Sequence, residues 1–75
     1  MTKLGDSELT VDDIVGREML IGLGSSEEII GTPISADETE IVFASGRRSV
    51  GGVDKGELPR DYAISTSDVI DASYQ

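Results

Sequence analysis

The chain has 75 residues, 15 acidic and 6 basic, for a formal net charge of −9, and it contains no histidine, cysteine or tryptophan. That inventory excludes disulfides and histidine- or thiolate-based metal sites, and it leaves every serine without an imidazole base for nucleophilic catalysis. The acidic balance argues against nucleic acid or an anionic membrane as partner, since both demand a basic face.

So short a chain is one domain and leaves much of its surface exposed. Its aliphatic set comprises 8 Ile, 6 Val and 5 Leu, but Phe43, Tyr62 and Tyr74 are the only aromatics. Domains of this size often add disulfides, metal or oligomerisation. Burial against another chain is the remedy left, so the ends are expected to be extended or tied to neighbouring chains. Residues Met1 to Asp6 carry one positive charge and no apolar stretch, unlike a secretory signal. The longest apolar run, Met19 to Leu23, is far short of the roughly 20 residues that span a bilayer. The expected location is the virion if the chain is viral, and otherwise the cytoplasm.

Thr10 followed by Val11, Ile14 and Val15, with Asp13 three residues after the hydroxyl, predicts a short capped helical turn. Gly16 weakens its continuation, and Arg17 to Leu23 reads as a strand bounded by glycines. Gly22-Leu23-Gly24-Ser25-Ser26-Glu27 lacks the third glycine and the following helix of a dinucleotide site, and is expected to be a hairpin turn. Glu28 to Ile34 is a second strand whose Pro33 belongs at an edge or a strand end.

Ser35 to Glu38 predicts a turn before Thr39 to Ala44, where β-branched and aromatic residues run together. These strands should form a hairpin with Ile41 and Phe43 on one face and Glu40 and Val42 on the other. Arg47 to Val53 is expected to be a further short strand, with Gly51-Gly52 as a bulge or close approach. Val53 to Asp61 reads as a loop anchored by Leu58, Tyr62 to Ser65 as a last strand, and Ser65 to Ile70 as a second capped turn before the tail Asp71 to Gln75.

The fold predicted is mainly β: a small barrel or sandwich-like sheet of four or five short strands with one or two short helical turns. Ile14, Val15, Leu20, Ile30, Ile41, Phe43, Ile64 and Val69 are its expected core.

Chemistry is scarce. Gly46 to Lys55 lacks the Gly-Lys-Ser/Thr junction of a phosphate loop. Asp37-Glu38-Thr39-Glu40 lacks EF-hand spacing and reads as a solvated turn. A pair such as Ser49 with Lys55 would need a buried lysine. The carboxylates are too scattered to imitate phosphates, which leaves an acidic nucleic-acid mimic as the weakest alternative. No catalytic residue, cofactor or metal site is assigned. The surface signal is Arg47 to Arg60, which holds four of the six basic residues. Arg47, Arg48 and Arg60, with the terminal aromatic Tyr74, are the candidate interface, because arginine pairs well with carboxylates between chains.

Two resemblances rest on these residues. Gly31-Thr-Pro-Ile-Ser-Ala-Asp-Glu-Thr-Glu-Ile-Val-Phe-Ala-Ser-Gly46 resembles the strand, Ala-Asp turn and strand of lambda-type phage head-decoration proteins. That resemblance implies a small, oligomeric, non-enzymatic protein clamping a capsid lattice. Ile14-Val15-Gly16-Arg17-Glu18-Met19 and Glu28-Ile29-Ile30-Gly31 are similar to the opening strands of the PRC-barrel family, which would imply a β-barrel adaptor for protein partners. The reading favoured is a structural, accessory subunit of a larger assembly, such as a virion head or tail component, acting on protein partners or copies of itself.

Overall fold

Thr10 starts the first element as its spacing requires. Its backbone N–H and its hydroxyl both donate to the Asp13 carboxylate, at 2.8 and 3.1 Å, and fix a single helical turn, α1, Val11–Ile14. In this computed structural model, which describes residues 3–24 and 26–75, six strands come after it: β1 Met19–Leu23, β2 Glu27–Ala36, β3 Glu40–Val50, β4 Val53–Glu57, β5 Tyr62–Ser65 and β6 Val69–Tyr74. A 3₁₀ turn, Thr66–Asp68, joins β5 to β6 where the second capped turn is expected. Met1, Thr2 and Ser25 lie outside the described residues, and with them the start of the segment read for an export signal and one position of the Gly22–Glu27 turn.

The strands make one antiparallel sheet in the order β4-β3-β2-β1-β6, and β5 pairs with the first half of β3. Its ends, β4 and β6, do not meet, so the sheet is not closed into a barrel. The chain is mainly β, with six strands instead of the expected four or five.

Alternation then decides what is buried. Met19, Ile21 and Leu23 point inward from β1, Ile29 from β2, Ile41 and Phe43 from β3, Ile64 from β5, and Val69 and Ala72 from β6. Leu4, Val11 and Ile14 close over this inner face from the N-terminal segment. Of the expected core, Ile14, Ile41, Phe43, Ile64 and Val69 are buried. Val15, Leu20 and Ile30 are corrections. Val15 is the extended residue that ends α1 and is exposed, while Leu20 pairs with Ile30 on the opposite face of the sheet, with Leu20 half-buried and Ile30 43% exposed. A run such as Ile29-Ile30 contains no alternation of its own, and only the register of the neighbouring strand says which member turns inward.

Further expectations change. Arg47 to Val50 continues β3, and Gly51-Gly52 is a two-residue hairpin turn, with φ of 59° and 84°, leading into β4. Two consecutive positive φ values are the geometry that matches hairpin twist, and glycine adopts them without steric cost. Val53 to Glu57 is therefore a strand and not a loop, although Leu58 does pack against the core as anchor. The supposed tail is β6, paired along β1 from Met19 to Leu23. Pro33 sits in a central strand, but just past Gly31, the last residue of β2 that faces β1, and beside two register shifts; its carbonyl accepts the Gly16 N–H at 2.9 Å. Its missing N–H thus costs no ladder bond on that side.

The two end strands of the order, β6 and β4, are guarded. Asp6 N–H donates to the Ile70 carbonyl at 2.7 Å and Ser7 Oγ to the Ala72 carbonyl at 3.0 Å, so the N-terminal segment covers β6. Gly5 makes that approach possible: with φ of 58°, it sits where any Cβ would collide with the Ile70 carbonyl. β4 carries Asp54, Lys55 and Glu57, and Asp54 Oδ1 accepts the Gly56 N–H at 2.7 Å where the strand kinks. Charge and irregularity on an edge strand discourage pairing with another sheet.

Candidate interface on the outer face of the sheet

With the inner face filled and the β6 and β4 edges guarded, the outer face remains. The register Leu20↔Ile30↔Arg47↔Glu57, with Ser73 beyond Leu20, defines one row across it. Asp54, Ser49, Glu28, Gly22 and Asp71 form the next row toward one end. Toward the other end come Thr32 with Ser45, then Ile34, then Val42 with Ala63, and last Glu40 with Ser65. Apart from Arg47 and Glu57 at one side of the first row, the middle of the face is apolar or hydroxyl-bearing. Ile30 and Ile34, at 43% and 51% exposure, are its large exposed apolar side chains.

Carboxylates mark its ends. Glu28 and Asp71 flank Gly22, and the Asp71 side chain occupies the space a Cβ at Gly22 would take. Glu40 stands at the far end, about 25 Å away at roughly 3.3 Å per residue along the strands.

The residues singled out in the sequence are dispersed by the fold. Arg47 and Arg48 are consecutive in β3 and therefore face opposite sides. Arg47 points outward, where its Nη2 pairs with Asp54 Oδ2 at 2.8 Å; both side chains are more than half exposed. The contact raises the Arg47 pKa and lowers that of Asp54, whose carboxylate also accepts the Gly56 N–H. Arg48 lies on the core side, its Nη1 donating to the Tyr62 hydroxyl at a long 3.4 Å and its Nε 3.3 Å from Glu27 Oε2. That second contact is an ion pair without hydrogen-bond alignment, and the Nε is shielded from water. Tyr62 and Glu27, in that order, raise the Arg48 pKa. Arg60 is exposed in the turn between β4 and β5. Tyr74, at the end of β6, lies under the Arg17 guanidinium, 4.4 Å from ring centroid to Cζ, and its hydroxyl reaches the Asp13 carbonyl at 3.5 Å. The four candidates do not form one patch; Arg47 alone borders the apolar face.

The remaining surface offers little chemistry. A depression of about 430 Å³ between the β1–β2 and β3–β4 turns is lined by Gly22, Glu27, Glu28, Gly51, Gly52 and Asp71, among others. Among the described residues no three acidic side chains converge as a metal site would require. Ser49 stands opposite Asp54, so Lys55 alternates to the other side of the sheet, where it shares a groove with Arg48. Ser65 and Ser67 hydroxyls are 2.9 Å apart without a neighbouring base. No helix among the described residues is long and apolar enough to cross a membrane.

Sequence reasoning missed Ile34 and assigned Ile30 and Leu20 to the core. Ile34 turns outward because it follows the buried Pro33 at the register shift between Pro33 and Ser35, which no local sequence signal announces. No protein-family model matches the chain, and no curated protein is significantly similar to it.

Proposed function

We propose that the chain is a non-enzymatic accessory subunit that docks onto a larger assembly through the outer face of its sheet. The observation that carries this reading is the strip Leu20, Ile30, Thr32, Ile34 and Val42, itself uncharged and bordered by Arg47, on a molecule whose formal charge is −9 and whose β4 and β6 edges are guarded. A face of that composition needs a covering surface, and guarded edges favour face packing over strand addition. A virion head-decoration or tail component is the form we favour. The strand, turn and strand from Gly31 to Gly46 lie within the β2–β3 hairpin, and β2 supplies Thr32 and Ile34 to the face.

The test is native size fractionation of the tagged chain from the cells or particles that produce it. Wild type is expected to migrate with a large particle, and Ile30→Lys with Ile34→Lys to migrate as the free chain of 7.9 kDa. Wild-type protein found free of any company in native extract would contradict the reading.

A further inference from the structure

The charge pattern of the outer face selects its occupant. Among the described residues, its outward strand positions carry carboxylates at Glu28, Glu40, Asp54, Glu57 and Asp71 and one guanidinium, Arg47, which Asp54 already neutralises. The acids stand around the apolar row and at both of its ends.

Consider a second copy of the chain as occupant. In an aligned face-to-face packing of two sheets, a two-fold axis brings the Glu28/Asp71 end either onto the same end of the other copy or onto its Glu40 end. Both arrangements place like charges together at the rim, where solvent screens them only in part. An orthogonal crossing covers the row only at its centre and leaves its ends wet. The net charge of −9 on each copy adds to the repulsion at long range.

We infer that the outer face docks a different protein, one presenting an apolar ridge with Lys or Arg side chains at both ends, about 25 Å apart by the strand rise. The inference rests on the docking reading above and goes further by naming the chemistry of the partner. The apolar ridge covers Leu20, Ile30 and Ile34; one cationic end meets Glu28 and Asp71, and the other meets Glu40. Complementary rim charge accelerates encounter and rejects self-pairing, while the apolar centre supplies most of the affinity.

The probe is a synthetic amphipathic helical peptide of about 18 residues, ~27 Å long at 1.5 Å per residue, with a leucine stripe and a lysine pair at each end. Its control has the same composition with all lysines at one end. Binding to the intact chain is read by fluorescence anisotropy at low and moderate salt. The two-ended peptide is expected to bind tighter than the control. Ile30→Ser with Ile34→Ser should weaken it about ten-fold or more, and Glu28→Gln with Asp71→Asn about five-fold, with the rim effect shrinking as salt is added. Glu8→Gln with Asp12→Asn removes the same charge from the N-terminal segment that covers the inner face. That pair should leave affinity within about two-fold.

Equal loss in the rim and N-terminal pairs would overturn the inference, since net charge alone would then explain binding. Unchanged binding of the Ile30/Ile34 variant would overturn it too. So would a dimer in light scattering that the Ile30/Ile34 variant abolishes, because the occupant would then be a second copy. Failure here is separable from failure of the docking reading: a native particle in which this face meets only other copies defeats the partner assignment alone, whereas a chain with no particle defeats both.

Discussion

Phe43 carries the largest fully buried side chain, and its ring lies on the inner face against Gly31. Phe43→Ala should cost about 3–5 kcal/mol, a large share of what so small a domain holds, and should lower the urea midpoint sharply; an unchanged midpoint would take the ring out of the core. Charged residues act at this scale through pH. Asp37 accepts the Glu40 and Thr39 backbone N–H groups and Asp54 pairs with Arg47, and each pKa lies below its ordinary value of 3.8. A depressed carboxylate stabilises the fold above its unfolded value, and the contribution disappears as pH falls through the lower folded value. Melting temperature should therefore drop below about pH 4, and Asp37→Asn with Asp54→Asn should flatten that acid limb. An acid limb unaltered by the two changes would contradict these assignments.

Elements were legible in the sequence where a local signal fixed them. Thr10 with Asp13 announced α1, and the run Ile41-Val42-Phe43 announced β3 together with the face each residue takes. Pairing partners were not legible, because they depend on register between distant segments: Val53 to Glu57 is a strand only because Gly51-Gly52 turns it back along β3, and Val69 to Tyr74 only because β1 offers an edge. The same limit hid the candidate interface, since Ile29 and Ile30 differ only in which side of β1 they meet. The β3–β4 turn should accept Gly51→Asn readily, whereas Gly52→Ala places a Cβ at φ of 84° and should cost about 1–2 kcal/mol in thermal or chemical unfolding. Equal stability of the two variants would argue against the turn. Ser7 ties two elements at once, donating to the Ala72 carbonyl and accepting the Leu9 N–H at 2.9 Å. Ser7→Ala should cost about 1–3 kcal/mol and speed hydrogen exchange in β6 more than in β3; uniform exchange across the sheet would mean that the N-terminal segment does not guard this edge.

The molecule combines a filled inner face, guarded β4 and β6 edges and an outer face whose apolar strip is bordered by Arg47 and flanked by carboxylates. Self-repulsion from a charge of −9 opposes folding as well as self-pairing, so moderate salt should raise the melting temperature. A melting temperature that falls with salt would mean that attractive ion pairs outweigh the repulsion. The proposed docking through the outer face is read out by methyl cross-saturation on the isotope-labelled chain bound in the particle with which it co-fractionates. Saturation should transfer to the methyls of Leu20, Ile30, Ile34 and Val42, with Ile21, Ile29 and Ile41 spared. Transfer concentrated instead on Val15, Val53 or Ile70, with Ile30 and Ile34 silent, would contradict it.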